Sequence, residues 1–156
     1  MSAPTNKEIP VPDPIYTAEA HVTGGRAEGH GKSSDGALEV DLRLPAEMGG
    51  QGGGTNPEQL FAVGYAACFE GALGVVARRA KVDTGDVSIE SSVSLSPDGH
   101  GGFFLAVGLN VTLPPVTDLN QAAELVRGAH QVCPYSNATR GNIEVALSAN
   151  GQTVEA

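Results

Sequence analysis

A long apolar segment, residues 57–80, constrains the fold of this chain more than any other feature. It opens with helix signals, since Thr55 or Asn56 can cap a helix and Pro57 suits the first helical position. Glu58 suits the first turn, where a carboxylate favours the helix dipole. Because the segment is apolar nearly all round, it predicts a central, buried helix.

One stripe of this predicted helix combines small and apolar side chains. It consists of Leu60, Gly64, Ala67, Cys68, Gly71 and Val75. Gly64 and Gly71 each cost about 1 kcal/mol relative to Ala in a helix interior. That cost suggests that another helix or a ligand approaches this face closely.

Alternation of apolar and polar residues predicts strands on both sides of the helix. The strands are expected at 15–23, 37–43, 86–96, 102–113 and 142–149, and a second helix, capped by Asp118, at 119–132. The first two strands are expected to pair as antiparallel neighbours, and the next two to form a hairpin. The order β-β-α-β-β-α-β predicts an α+β domain with antiparallel sheet around two helices.

The length of 156 residues predicts a single domain over residues 15–156, preceded by an extended, Pro-rich leader at residues 1–14. A net charge of −9 argues against a nucleic-acid partner, since phosphate binding needs basic clusters. No uncharged apolar run approaches the length of a membrane span, so no membrane association is expected. The absence of a signal peptide predicts a cytoplasmic protein.

The Gly-rich run at 49–54 precedes a helix but lacks the Lys and the spacing of a phosphate-binding loop. A flexible connector or lid is the better interpretation. The four histidines are scattered, so no metal site is predicted. His130 is interpreted as a cation at the end of the second helix.

Cys68 and Cys133 are the two thiols, and without a C-x-x-C motif they favour neither a disulfide scaffold nor a zinc site. Cys68 is either an inert buried thiol or a reactive one. It lies about 16 Å along the helix from Pro57, beyond the reach of the helix dipole. A reactive Cys68 therefore needs a cation from elsewhere, with Arg26 or Arg140 as the candidates.

Glu58 is too far along the helix to hydrogen-bond Cys68, but an arginine lying over the helix could pair with it and present nitrogens to the sulfur. Cys133 lies at a helix end that Pro134 stops, on a stretch expected to be mobile enough to reach Cys68. It could be a free surface thiol, a partner in a permanent disulfide worth about 4 kcal/mol, or a partner in a transient one.

Three segments resemble the organic hydroperoxide resistance (Ohr) branch of the Ohr/OsmC superfamily. They are YTAEAHVTGGRAEGHGKSSDGALEVDL, GTNPEQLFAVGYAACF and HQVCPYSNATRGNIEV. The resemblance covers about residues 15–150. Val63 and Glu70 depart from the pattern expected at their positions, without blocking the chemistry.

The resemblance implies a peroxidatic role for Cys68 and a resolving role for Cys133, with Arg26 as catalytic arginine and Glu58 orienting it. It further implies an intertwined homodimer, with two central helices wrapped by sheet and active sites at the subunit interface. The implied reaction reduces alkyl and fatty-acid hydroperoxides without a bound cofactor or metal. A dithiol such as a lipoylated protein would be the reductant.

An apolar pocket suited to alkyl chains would draw on residues near Cys68, namely Leu60, Phe61, Tyr65, Phe69 and Val75. Two alternatives stay open. The chain could be a non-enzymatic protein that binds a lipid-like ligand on the apolar stripe. It could also be a peroxidase of the osmotically inducible branch, with a broader peroxide preference.

Overall fold

The computed structural model describes residues 12–156. Most of the predicted leader, residues 1–11, lies outside the described residues, and residues 12–14 are exposed. The chain forms two compact units, one ending at Gly54 and the other comprising Thr55–Ala156. The single domain expected over 15–156 stays a prediction.

The first unit contains a three-stranded antiparallel sheet in the order β1-β2-β3. Its strands are β1 (Ala20–Thr23), β2 (Glu28–Ser33) and β3 (Glu39–Arg43). The predicted direct pairing of the first and last of these strands is wrong, because β2 lies between them. The inward positions of β2 are Gly29 and Gly31, so its buried face carries no apolar side chain that alternation could reveal.

The Gly-rich connection after β3 is more regular than predicted. A short 3-10 turn at Ala46–Met48 ends on Gly49, whose φ of 84° favours glycine. Backbone hydrogen bonds from Gly50 to Pro45 and from Gly52 to Leu44 fold the connection back on itself.

The second unit contains three helices and a four-stranded sheet. The helices are α1 (Pro57–Ala80), α2 (Leu119–Val132) and α3 (Pro134–Thr139). The strands are β4 (Ser88–Pro97), β5 (Phe103–Thr112), β6 (Val145–Ala149) and β7 (Gln152–Val154), in that order across the sheet. The α+β class is as predicted, and α3 and β7 are additions to it.

The β5–β6 pair is parallel, and the other pairs of this sheet are antiparallel. The sheet is therefore mixed rather than purely antiparallel. The connection that carries α2 and α3 is long enough to return the chain in its original direction, as a parallel pair requires.

Both long helices begin and end where the sequence predicts. Asn56 caps α1, its side-chain oxygen accepting from the Gln59 N–H at 2.9 Å. Asp118 caps α2 in the same way. Lys81 ends α1 in the left-handed conformation, with φ 56°.

The core of the second unit lies between one face of α1, α2 and the sheet. Its largest fully buried apolar side chains are Tyr65, Phe69, Leu73, Leu109, Val111, Leu113 and Val126. The opposite face of α1 is open, and Val63 there is 72% exposed. The prediction that α1 is buried on all sides is therefore wrong for the single chain.

By length and composition alone α1 could also cross a membrane, with a mean hydropathy of 1.7 over its most apolar stretch. The core helix of a soluble protein meets the same criterion. In α1, 28% of this stretch is buried, and Tyr65, Phe69 and Leu73 pack into the core of the second unit.

Candidate active site

The two cysteines meet inside the second unit, where α1 passes the junction between α2 and α3. Both are free thiols, and their sulfur atoms lie 3.6 Å apart, with the Cys133 thiol donating to Cys68. A disulfide bond is about 2.05 Å long, so the two sulfurs need approach by only about 1.5 Å to form one. The two sulfurs are therefore close enough for a disulfide to form with a small shift.

Cys133 occupies a fixed position at the junction. It ends α2 and precedes α3, with its N–H donating to Ala129 at 2.8 Å and its carbonyl accepting from Asn137 at 2.9 Å. Its side chain is fully buried. Pro134 starts the short helix α3, so Cys133 lies between two helices. The expected mobility of this stretch stays a prediction.

Cys68 is only partly buried in the single chain, which corrects the expectation of a deeply buried thiol. Burial nevertheless raises the pKa of this thiol above its ordinary value. A hydrogen bond with the Tyr135 backbone lowers the pKa, and the neighbouring Cys133 raises it further. Formation of a thiolate here at neutral pH therefore calls for added positive charge.

Three aromatic rings pack together beside the thiols. Phe61 stacks on Tyr135 with ring centroids 5.8 Å apart, and Tyr65 meets both rings edge-on. A Cβ at Gly64 would lie 3.1 Å from the Tyr135 hydroxyl oxygen. The expected close approach on this face of α1 is therefore made at Gly64 by Tyr135, while nothing within the described chain comes within 4 Å at Gly71.

The residues named as a substrate pocket divide into two groups. Leu60, Phe61 and Val75 are partly accessible. Tyr65 and Phe69 are fully buried in the core. The pocket itself stays a prediction.

Arg26 lies in the first unit, partly buried, in the turn between β1 and β2. Gly24 makes that turn possible with a φ of 75°, and a Cβ there would collide with the Glu28 carbonyl. Glu58 is the second residue of α1 and is partly buried. The catalytic roles expected of these two residues are taken up below as a proposal.

Arg140, the other candidate cation, is engaged at the α2–α3 junction. Its guanidinium donates to the His130 carbonyl at 2.9 Å and to the Asn137 side-chain oxygen at 3.3 Å. His130 itself is buried, and burial, reinforced by the charge of Arg140, lowers its pKa. The interpretation of His130 as a helix-end cation is therefore wrong, because its neutral form is favoured.

Sequence reasoning missed a chain of buried hydrogen bonds around the thiols. We call these side chains the elbow network, because they lie around the bend between α2 and α3. The network consists of Tyr65, His130, Ser136 and Thr139. The only signal in the sequence is spacing, since His130 and Ser136 each lie three residues from Cys133. Among residues 12–156, no cluster of three or more His, Cys, Asp or Glu side chains could hold a metal ion.

The fold is that of a known class of proteins. The profile of the OsmC-like protein family matches residues 50–148, and the chain belongs to this family. Its relatives narrow the class to the organic hydroperoxide resistance proteins. The protein of that name from Xanthomonas axonopodis pv. citri is 55% identical over 136 residues, which cover 86% of this chain and 94% of the relative.

Two solved structures agree with this assignment. A putative organic hydroperoxide resistance protein from Vibrio cholerae, with captopril in one of its active sites, superposes with a TM-score of 0.85 and 48% identity. The match covers 91% of this chain and 96% of that one. Organic hydroperoxide resistance protein OhrB of Bacillus subtilis superposes with a TM-score of 0.78 and 47% identity, over 87% and 99% of the two chains.

Proposed function

We propose that this protein is a thiol-dependent peroxidase that reduces organic hydroperoxides to alcohols. The observation that carries the proposal is the 3.6 Å separation of the Cys68 and Cys133 sulfurs in a chain where both are free thiols. The names of its relatives, at up to 55% identity among those compared, support the substrate class.

Cys68 is the residue that attacks the peroxide. Its thiolate bonds to one peroxide oxygen, the O–O bond breaks, and the released alkoxide takes up a proton to become the alcohol. Cys68 is left as a sulfenic acid. The Cys133 thiol then attacks the Cys68 sulfur, the sulfenic oxygen leaves as water, and a disulfide joins the two residues.

Arg26 supplies the positive charge that the Cys68 thiol needs, and Glu58 holds Arg26 in position. Because burial raises the pKa of Cys68, a guanidinium beside the sulfur would favour the thiolate. Arg140 donates to the His130 carbonyl and to Asn137, and the resemblance of the TGGR segment to the family supports Arg26 for this role. Glu58 would hold Arg26 through a charge-assisted hydrogen bond.

The substrate would enter against apolar side chains of α1. Leu60, Phe61 and Val75 are partly accessible on the helix that carries Cys68, and they suit an alkyl or acyl chain better than hydrogen peroxide. An external dithiol, such as the dihydrolipoyl group of a lipoylated protein, would return the disulfide to two thiols by exchange. No resident cofactor takes part in this cycle.

The active form would be a homodimer. The open face of α1 includes Val63, at 72% exposure, and the exposed Ala67 and Gly71. Within the described chain nothing lies within 4 Å of a Cβ built at Gly71, which leaves room there for a close neighbour. A second copy of the chain would cover this apolar face and complete an active site at the interface.

Steady-state peroxidase assays with a dithiol reductant test this function. We expect turnover of tert-butyl hydroperoxide to exceed that of hydrogen peroxide by at least roughly tenfold, because only the organic substrate gains apolar burial. Cys68→Ser should abolish turnover, and Cys133→Ser should permit one oxidation without a disulfide. Retained turnover in Cys68→Ser would overturn the proposal, and a wild type inert to peroxide would favour the ligand-binding alternative.

A further inference from the structure

The elbow network joins all three helices that surround the thiols. The Tyr65 hydroxyl of α1 lies 2.8 Å from the Ser136 hydroxyl and 3.1 Å from that of Thr139, both of α3. The Ser136 hydroxyl also lies 2.9 Å from Nδ1 of His130 in α2. Four buried polar side chains thus satisfy one another in the core of the second unit.

Each hydroxyl of the network has one proton, so it can donate one hydrogen bond and accept another. The hydrogen bonds can therefore all run in the same donor-to-acceptor order. A sequence of donors from His130 through Ser136 and Tyr65 to Thr139 ends on the Tyr135 carbonyl, which accepts from Thr139 at 2.9 Å. A fully satisfied buried network is rigid, because breaking any link leaves a buried polar group unpaired.

The network is placed one helical turn from each thiol. Tyr65 precedes Cys68 by three residues on α1, about 4.5 Å along the axis. His130 precedes Cys133 by three residues and Ser136 follows it by three, so their hydrogen bond closes the bend that carries Cys133. A second hydrogen bond, from the Arg140 guanidinium to the His130 carbonyl, spans the same bend.

The position of Cys133 matters because oxidised Cys68 has two fates. The sulfenic acid either condenses with the Cys133 thiol, releasing water, or reacts with a second hydroperoxide, which is reduced to alcohol as the sulfur becomes sulfinic acid. The first reaction is intramolecular, and its rate depends steeply on the distance and orientation of the two sulfurs. The second is not reversed by a dithiol.

We propose that Tyr65, His130, Ser136 and Thr139 are positioning residues for Cys133. By fixing the α2–α3 bend against α1, they set the fraction of oxidised Cys68 that becomes disulfide rather than sulfinate. This role rests on the proposed peroxidase function and adds to it a determinant of how many turnovers the protein survives. Of the four, His130, Ser136 and Thr139 lie outside the predicted substrate pocket and need not touch the peroxide.

The test uses Tyr65→Phe and Ser136→Ala in the full-length protein. Ser91→Ala is the matched control, because within residues 12–156 the buried Ser91 hydroxyl hydrogen-bonds no other group. Each reduced protein is mixed with excess tert-butyl hydroperoxide and quenched with acid. Intact mass then gives the sulfinate-to-disulfide ratio, and alkylation of the remaining Cys68 thiol gives the rate of the first oxidation.

We expect the sulfinate-to-disulfide ratio to rise on the order of tenfold in Tyr65→Phe and Ser136→Ala. The rate of the first oxidation should stay within about twofold of wild type in Ser136→Ala, and Ser91→Ala should keep the wild-type ratio. A purely structural role would slow both steps together. Unchanged ratios in both variants, or an equal rise in Ser91→Ala, would overturn the inference.

A second pair of variants keeps the inference testable if either substitution prevents folding. Thr139→Val removes the hydroxyl at nearly constant shape, and Thr139→Ser retains it. We expect the valine variant to raise the ratio and the serine variant to match wild type; equal ratios in the two would contradict the role of the network. A wild-type protein whose Cys68 is not oxidised at all would instead contradict the proposed function.

Discussion

At the scale of the residue, the chemistry depends on how the Cys68 thiol is charged. Burial raises its pKa, Cys133 raises it further, and the Tyr135 backbone opposes both. A thiol with a raised pKa is mostly protonated at neutral pH, so its reaction with electrophiles should accelerate as pH rises through that pKa. A guanidinium beside the sulfur lowers the thiol pKa, so the increase in reaction rate occurs at lower pH.

Replacing Arg26 should therefore move the titration of Cys68. We expect Arg26→Ala, in a Cys133→Ser background, to shift the midpoint of the pH profile of Cys68 alkylation upward by roughly one to two units. Arg127→Ala is the control, since its guanidinium donates to the Glu155 carbonyl near the C-terminus. A midpoint that does not move in Arg26→Ala would mean that another cation activates Cys68.

At the scale of the element, local signals account for what could be predicted. The N-terminal ends of α1 and α2 are encoded by the capping residues Asn56 and Asp118, and these helices have the predicted bounds. The strand β2 escapes prediction because its buried positions are glycines. The short α3 escapes because its single turn leaves no periodic pattern.

The candidate site shows the same division between local and tertiary information. That Cys68 lies on a helix and Cys133 at a helix end follows from the sequence, and their pairing was suggested by resemblance to a family. The 3.6 Å separation depends on packing of α1 against the α2–α3 bend, which no local signal encodes. The Ser136 and His130 hydrogen bond is hidden from sequence for the same reason.

At the scale of the whole molecule, the open face of α1 is the surface on which the proposed assembly depends. This face exposes Val63, Ala67 and Gly71, with the charged Glu70 beside them, on a helix whose other face is core. Exposed apolar side chains of this kind can mark an interface. The net charge of −9 keeps chains apart unless specific contacts overcome the repulsion. Contacts between two copies of the face that carries Val63 are proposed to overcome it.

A charge placed on this face should separate the subunits. Sedimentation velocity at micromolar concentration should show a dimer for the wild type and mainly monomer for Val63→Asp, because an interface cannot bury an unpaired carboxylate cheaply. Leu119→Asp, on an exposed apolar residue of α2, should leave the dimer intact. A monomeric wild type, or equal dissociation by both substitutions, would contradict the proposed assembly.

The central claim is that Cys68 and Cys133 form a redox couple driven by organic hydroperoxide. Its most direct test is titration of the reduced protein with one equivalent of tert-butyl hydroperoxide in the absence of any reductant. Non-reducing mass analysis should then show the loss of two hydrogen atoms, a Cys68–Cys133 cross-linked peptide and one equivalent of alcohol. Two free thiols and intact hydroperoxide after incubation would contradict the account.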